Sequence, residues 1–229
     1  MLKKIFQHFG YSFSRIKKSQ NLDEIIKFRL LNNPCELLID VGANHGDFSN
    51  NFLENFKKIF LIEPNKNLIN NLNEKFKEDR VKIFNIGIDK LKSSKKFYIT
   101  NDTGQTLSSM KTQTELMTQT LKNTKIINEI NVNFERLDNI IPNEVKNIFL
   151  KTDTQGNELS VLESLGKFVD KTLFIKCEMP VLNLYDIDYS YWDILDFFKE
   201  NNFVPILFEN GIRNEKGKLI EFDVVFEKK

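Results

Sequence analysis

From residue 36 onward the chain repeats one pattern. A short apolar run rich in β-branched and aromatic residues is followed by a longer polar stretch with helical spacing. The runs fall at 37–41, 59–63, 81–85, 148–153, 173–178, 204–208 and 222–226, and the stretches at 46–56, 67–77, 157–165 and 189–200 read as helices. Strands that alternate with helices build βαβ units, which predicts an α/β fold around a mostly parallel sheet. Runs that are apolar at nearly every position fit strands covered on both faces. The last two runs are joined by a polar stretch at 209–219 that holds Gly211, Asn214 and Gly217. Such a hairpin-like connection turns the final strand antiparallel to its predecessor. Residues 95–141 break the alternation. Short strands are expected at 97–100 and 127–134, a helical turn at 137–141, and a Thr-, Ser- and Gln-rich stretch between them. An insertion of this length reads as a lid or binding loop, or as a plain surface excursion.

Composition narrows the classes. Lys+Arg total 33 and Asp+Glu 32, so bulk charge gives no grip on nucleic acid. The two cysteines, Cys35 and Cys177, lie in or beside apolar runs, which predicts buried free thiols. With only His8 and His45 as histidines, both far from the cysteines, no zinc site and no other metal is expected. No apolar run approaches the ~20 residues of a membrane span, and no secretory signal is visible, so the expected location is cytoplasmic. Residues 1–20 carry five basic side chains and no acidic one, with apolar residues at helical spacing. They read as a helix that packs on the domain or makes weak peripheral contact with an anionic membrane. Heavy use of Lys, Asn, Ile and Phe hints at an AT-rich bacterial genome.

The sharpest motif is Ile39-Asp40-Val41-Gly42-Ala43-Asn44-His45-Gly46-Asp47. A buried strand ends in an acid, turns through two glycines and enters a helix. Ligands of open parallel sheets sit beyond such carboxyl ends. Gly42 and Gly46 allow close approach of a ligand, Asn44 lies between them, and Asp40 can bind a cationic group or position the loop. The dinucleotide fingerprint G-x-G-x-x-G is absent. Asp40 and Asp47 would repel a pyrophosphate at this helix start, whereas an ammonium or sulfonium group is favoured there. S-adenosylmethionine carries both. The second strand ends Ile62-Glu63-Pro64-Asn65, with Glu63 placed 21 positions after Gly42. An acid there can accept both ribose hydroxyls of a nucleoside, and Pro64 fixes the turn. Gly87, after the third strand, serves either an adenine-reading turn or a turn alone.

The fourth strand delivers Lys151-Thr152-Asp153-Thr154-Gln155-Gly156-Asn157-Glu158. Asp153 joins Asp40 and Glu63 on one rim, and Glu178 ends the fifth strand, so four strands end in an acid. Gly156 permits a sharp turn and Asn157 is expected to cap the following helix. Gln155 and Glu158 are candidate acceptor ligands. Glu158 and Glu178 are read equally as loop anchors.

These strings, together with Arg136-Leu137-Asp138-Asn139-Ile140-Ile141, resemble FkbM-type methyltransferases, which are class I S-adenosylmethionine-dependent enzymes. The resemblance spans 36–180. It implies a Rossmann-like, seven-stranded, mostly parallel sheet with an antiparallel last strand, and methyl transfer to a hydroxyl oxygen. It also implies a sugar, glycan or related small-molecule acceptor. The methyltransferase domain would then run 36–229, after an N-terminal helical extension at 1–35. An alcohol acceptor needs a base. Asp153 is the first candidate, His45 the second, as the side chain whose unperturbed pKa lies near neutral, and Glu178 the third. His45 reads before that as a loop residue packed against the cofactor. Thr106, Ser108 and Ser109, in a segment resembling the family's Ser-rich stretch, could bind a polyol. Tyr185, Tyr189, Tyr191 and Trp192 could form a sugar platform or pack as a helix. Two other readings stand beside this one: an NAD(P)-dependent oxidoreductase and a non-catalytic nucleoside-binding module.

Overall fold

The structure, a computed structural model, describes residues 22–121 and 124–229. The expectations for residues 1–20 lie outside the described residues. The central sheet contains β1 (Leu37–Val41), β2 (Lys58–Ile62), β3 (Val81–Phe84), β7 (Ile148–Thr152), β8 (Thr172–Pro180), β9 (Phe203–Phe208) and β11 (Leu219–Lys228). A two-residue strand, β10 (Ile212–Arg213), adds to its edge. The order is β3-β2-β1-β7-β8-β11, with β9 also paired to β11. The first five strands run parallel, and β11 is antiparallel to both β8 and β9. The polar 209–219 stretch therefore produces the expected reversal.

Burial follows the two-residue period of a strand. Leu37, Ile39 and Val41 of β1 enter one core with Ile148, Leu150 and Ile175. Leu38 enters the opposite core with Phe149, Phe174 and Val225. Helix α1 (Leu22–Asn32) buries Ile26 and Leu30 in that second core, beside Cys35. Cys35 and Cys177 are both buried and free. Phe149 is fully buried, with ring centroids 5.9 Å from Phe56 and 6.0 Å from Phe174. Phe149→Ala is expected to cost about 3–5 kcal/mol, read as a lower midpoint of chemical denaturation. A change under ~1 kcal/mol would show that the neighbouring rings collapse into the gap.

The helices that follow the strands are shorter than the sequence pattern predicts. The 46–56 stretch is α2 (Asp47–Asn51) plus a turn of 3-10 helix, Leu53–Asn55. The others are α3 (Lys66–Lys75), α6 (Glu158–Glu163) and α7 (Tyr191–Glu200). No helix of the described residues is long and apolar enough to cross a membrane.

The inserted segment has more regular structure than expected. β5 (Ser93–Thr100) and β6 (Ile126–Glu135) pair antiparallel along their length. β4 (Gly87–Ile88) joins β6 in parallel, which makes a second sheet of three strands. Phe97, Ile99, Val132 and Phe134 form its small core. Between β5 and β6 lies a short helix, α4 (Glu115–Thr120). The expected turn before β7 is α5 (Leu137–Ile140).

Candidate active site

The carboxyl ends of β1, β2, β7 and β8 meet on one rim and enclose a cavity of 460 Å³. Gly42, Asn44, Glu63 and Ile86 line one end, and Asp153, Lys176, Glu178 and Glu221 the other. Residues 105–108 cover it from the inserted segment.

The loop after β1 needs its first glycine. Gly42 has φ 75°, and a Cβ there would stand 1.9 Å from the Asp153 carbonyl oxygen. Its backbone is thus pressed against the loop after β7, a contact no side chain allows. Asn44 (φ 48°) carries the chain onward, and Gly46 precedes α2. Glu63 ties this loop to the next strand. Its Oε2 accepts from Asn44 N–H at 2.8 Å and its Oε1 from Asn65 N–H at 2.8 Å. Burial pushes the Glu63 carboxyl up to about 7, against the pull of those two N–H groups. Asn65, which the sequence reading passed over, caps α3 by accepting from Asn67 N–H at 3.1 Å. Pro64 and Gly87 also line the cavity, and a Cβ on Gly87 would strike the Phe134 ring.

Asp40 corrects an expectation. It is fully buried and does not line the cavity, because its side chain points with Leu38 to the covered face of β1. There it accepts from Ser49 Oγ at 2.7 Å and pairs with Lys151 Nζ at 3.1 Å. Of its two expected roles, binding a ligand cation or positioning the loop, the structure leaves the second. Lys151 is the residue that sequence reasoning missed. Sheet register sets it opposite Asp40. Its ammonium also donates to the Gly42 carbonyl at 2.9 Å and lies 3.3 Å from Asp153 Oδ2. One buried ammonium thus donates to a backbone carbonyl and pairs with two carboxylates. Burial disfavours the Lys151 charge, but Asp153 and Asp40 outweigh it and raise its pKa. Asp153 is desolvated in turn, yet Lys151 and the Gln155 amide hold its carboxyl below the ordinary range. The signal was present: a lysine inside a strand covered on both faces must be paired.

The third acid on the rim, Glu178, behaves oppositely. Desolvation, then Asp153 and Glu221, push its pKa well above the carboxylate range. Gln155 lies between these acids and donates from Nε2 to Asp153 Oδ1 at 3.1 Å and to Glu178 Oε2 at 3.0 Å. Lys176, also on the wall, is already engaged by Asp223 and, at 3.1 Å, by Glu209. His45 lines the cavity beside Gly104. Thr106 and Ser108 line it too, although the Thr106 hydroxyl donates to Asp102 at 2.8 Å.

Ser109 and Glu158, both expected as acceptor ligands, do not face the cavity. Ser109 is 1% exposed, and its hydroxyl donates to the Gln155 carbonyl at 2.6 Å instead of facing the cavity. Glu158 is equally buried and lies off the cavity wall. It accepts from Thr154 N–H at 2.9 Å, Gly156 N–H at 3.2 Å and the Tyr189 hydroxyl at 2.8 Å, so it is a loop anchor. Asn157 makes no side-chain cap on α6; its amide donates to the Ile88 carbonyl at 2.7 Å and ties the loop after β7 to β4 of the second sheet. Tyr185, Tyr189, Tyr191 and Trp192 do not line the cavity; the Tyr189 hydroxyl donates to Glu158, and the Tyr185 hydroxyl lies between the Leu107 carbonyl and Gln155 Oε1. Among the described residues no group of three or more His, Cys, Asp or Glu is placed to hold a metal ion.

An open α/β sheet with one reversed strand set between β8 and β9, a glycine turn after β1 and a buried carboxylate closing β2 defines the Rossmann-like class I methyltransferase class. The FkbM methyltransferase domain profile matches residues 40–205, and the chain belongs to that family, whose methyl donor is S-adenosylmethionine. No curated protein matches the chain. Among solved structures it is similar to the FkbM methyltransferase from Methylobacillus flagellatus KT, at 14% identity and TM-score 0.48, covering 84% of this chain. The chain spans 43% of that protein's length. An rRNA methylase from Streptococcus thermophilus aligns at 10% identity and TM-score 0.47, over 94% of this chain and 99% of its own. A magnesium protoporphyrin IX methyltransferase from Synechocystis PCC 6803, with bound SAM, aligns at 7% identity and TM-score 0.48, over 100% and 95%.

Proposed function

We propose that this protein is an S-adenosylmethionine-dependent O-methyltransferase that acts on a hydroxyl of a sugar, a glycan or a related small molecule. The observation that carries the reading is the Lys151 hub. One buried ammonium holds the Gly42 turn at the cofactor end and Asp153 at the acceptor end. S-adenosylmethionine supplies an already activated methyl group, which leaves a neutral thioether behind when an acceptor oxygen bonds to it.

The residues present fit that cofactor. Each Glu63 oxygen uses one lone-pair direction on a backbone N–H, which leaves the other for a ribose hydroxyl. Ile86, Ile88, Phe97 and Phe134 offer an apolar slot for adenine on the same side. At the far end Asp153, kept as the carboxylate, accepts the proton that the acceptor hydroxyl loses. Residues 105–108 cover the cavity and limit water, which would compete as acceptor. His45, beside Gly104, lies with this cover and is read as packing on the cofactor. The reading assigns no nucleic-acid acceptor, because the charges balance and the acceptor wall carries three carboxyl groups. The cytoplasm is the compartment proposed for it.

The Glu63 assignment predicts a pH dependence. Ribose hydroxyls donate to the carboxylate, so binding must draw Glu63 from its acid form. With the free carboxyl at about 7, affinity for S-adenosylhomocysteine should fall roughly tenfold from pH 8 to pH 6. Calorimetry should show the loss in the native chain and a flat, weaker profile in Glu63→Gln. Equal affinity and equal pH response in both proteins would remove Glu63 from the cofactor site.

A further inference from the structure

Both polar atoms of the Gln155 side chain are already engaged within the protein. It sits at φ 34° on the loop between β7 and α6 and is 7% exposed. Its Nε2 reaches Asp153 at 3.1 Å and Glu178 at 3.0 Å, and its Oε1 lies 3.0 Å from the Tyr185 hydroxyl, whose one proton it shares with the Leu107 carbonyl at 2.9 Å. Its carbonyl is held by Ser109 Oγ. The expected acceptor ligand is therefore a clamp between two carboxyls.

We propose that Gln155 is a positioning residue: its amide nitrogen, aimed by Tyr185, sets Asp153 and Glu178 as a pair that shares one proton, with Asp153 the carboxylate and Glu178 the acid. This rests on reading Asp153 as the base of the acceptor site. The surroundings of the two groups differ. Asp153 has the Lys151 ammonium at 3.3 Å. Among the described residues Glu178 has no ion pair. It faces Asp223 across the β8–β11 ladder, with Glu221 and Glu158 adding like charge, while Lys176 is held by Asp223 and Glu209. Both amide N–H groups prefer a carboxylate to an acid, yet only one neighbour can keep its charge. Because the two N–H bonds of the amide diverge, the carboxyls are kept on separate donors and do not bond directly to each other. Asp153 is left to accept a proton, and the Glu178 O–H to donate a hydrogen bond into the cavity.

The test is a ¹³C-carboxyl NMR titration of the full chain, with signals assigned by Asp153→Asn and Glu178→Gln. The native protein should show Asp153 titrating below the ordinary ~3.9 of an aspartate and Glu178 still protonated at neutral pH. Gln155→Met removes the donor at similar volume and should move Asp153 up by about one pH unit. Tyr185→Phe, which keeps the amide but frees it, should give a smaller shift in the same direction and serves if Gln155→Met does not fold. Unmoved carboxyl titrations in both folded variants, or a Glu178 that ionises in the ordinary range in the native chain, would overturn the proposal. A native chain that shows these titrations but binds no S-adenosylhomocysteine would contradict the methyltransferase reading, not the clamp.

Discussion

Asp153→Asn should lower methyl transfer by about 10²–10⁴-fold, the usual contribution of a general base, while affinity for S-adenosylhomocysteine stays within about threefold. The split follows from geometry. Asp153 lies on the acceptor side of the cavity, and the cofactor end is built from the turn after β1 and from Glu63. The asparagine keeps the shape and leaves Lys151 its bonds to Asp40 and Gly42. What it removes is the carboxylate that takes the hydroxyl proton. Labelled methyl transfer into a cell-surface glycan extract, with calorimetry in parallel, measures both halves. Turnover near that of the native chain would exclude Asp153 as the base.

Lys151→Met should be the most destabilising change in the site. It leaves Asp40 buried beside Ser49 with no counter-charge, and it frees the Gly42 turn. Removing one partner of a buried ion pair costs about 3–5 kcal/mol. In a chain of this size that corresponds to a fall in Tm of roughly 6–20 °C. Adding Asp40→Asn should return part of the loss, because the stranded charge goes with it. Calorimetric melting of the single and double variants checks the coupling. If Lys151→Met melts with the native chain, Lys151 does not organise the site.

The particular residues show what could be read in advance. The parallel sheet was visible because its strands are covered on both faces and apolar at nearly every position, and the reversal of β11 because 209–219 has turn chemistry. Gly42 and Glu63 stood out because a turn and a strand end impose them locally. The partnership of Asp40 with Lys151 did not, because it depends on register between strands 111 residues apart. Glu158 and Ser109 failed for a related reason. Polar residues near a site read alike whether they face the cavity or brace the loop behind it, and only packing separates them. The second sheet was half visible. The alternation of β6 marked a strand, but its outer residues are exposed, so no apolar pattern announced β5 as its partner. Helix lengths were overestimated where α2 gives way to 3-10 turns.

The most direct measurement is calorimetric titration of the native chain with S-adenosylhomocysteine and, separately, with NAD. A cavity closed at one end by a carboxylate and held by Lys151 should bind the thioether nucleoside at one site, lose that binding in Glu63→Ala, and give no heat with NAD. Saturable binding of NAD with none of S-adenosylhomocysteine would contradict the account.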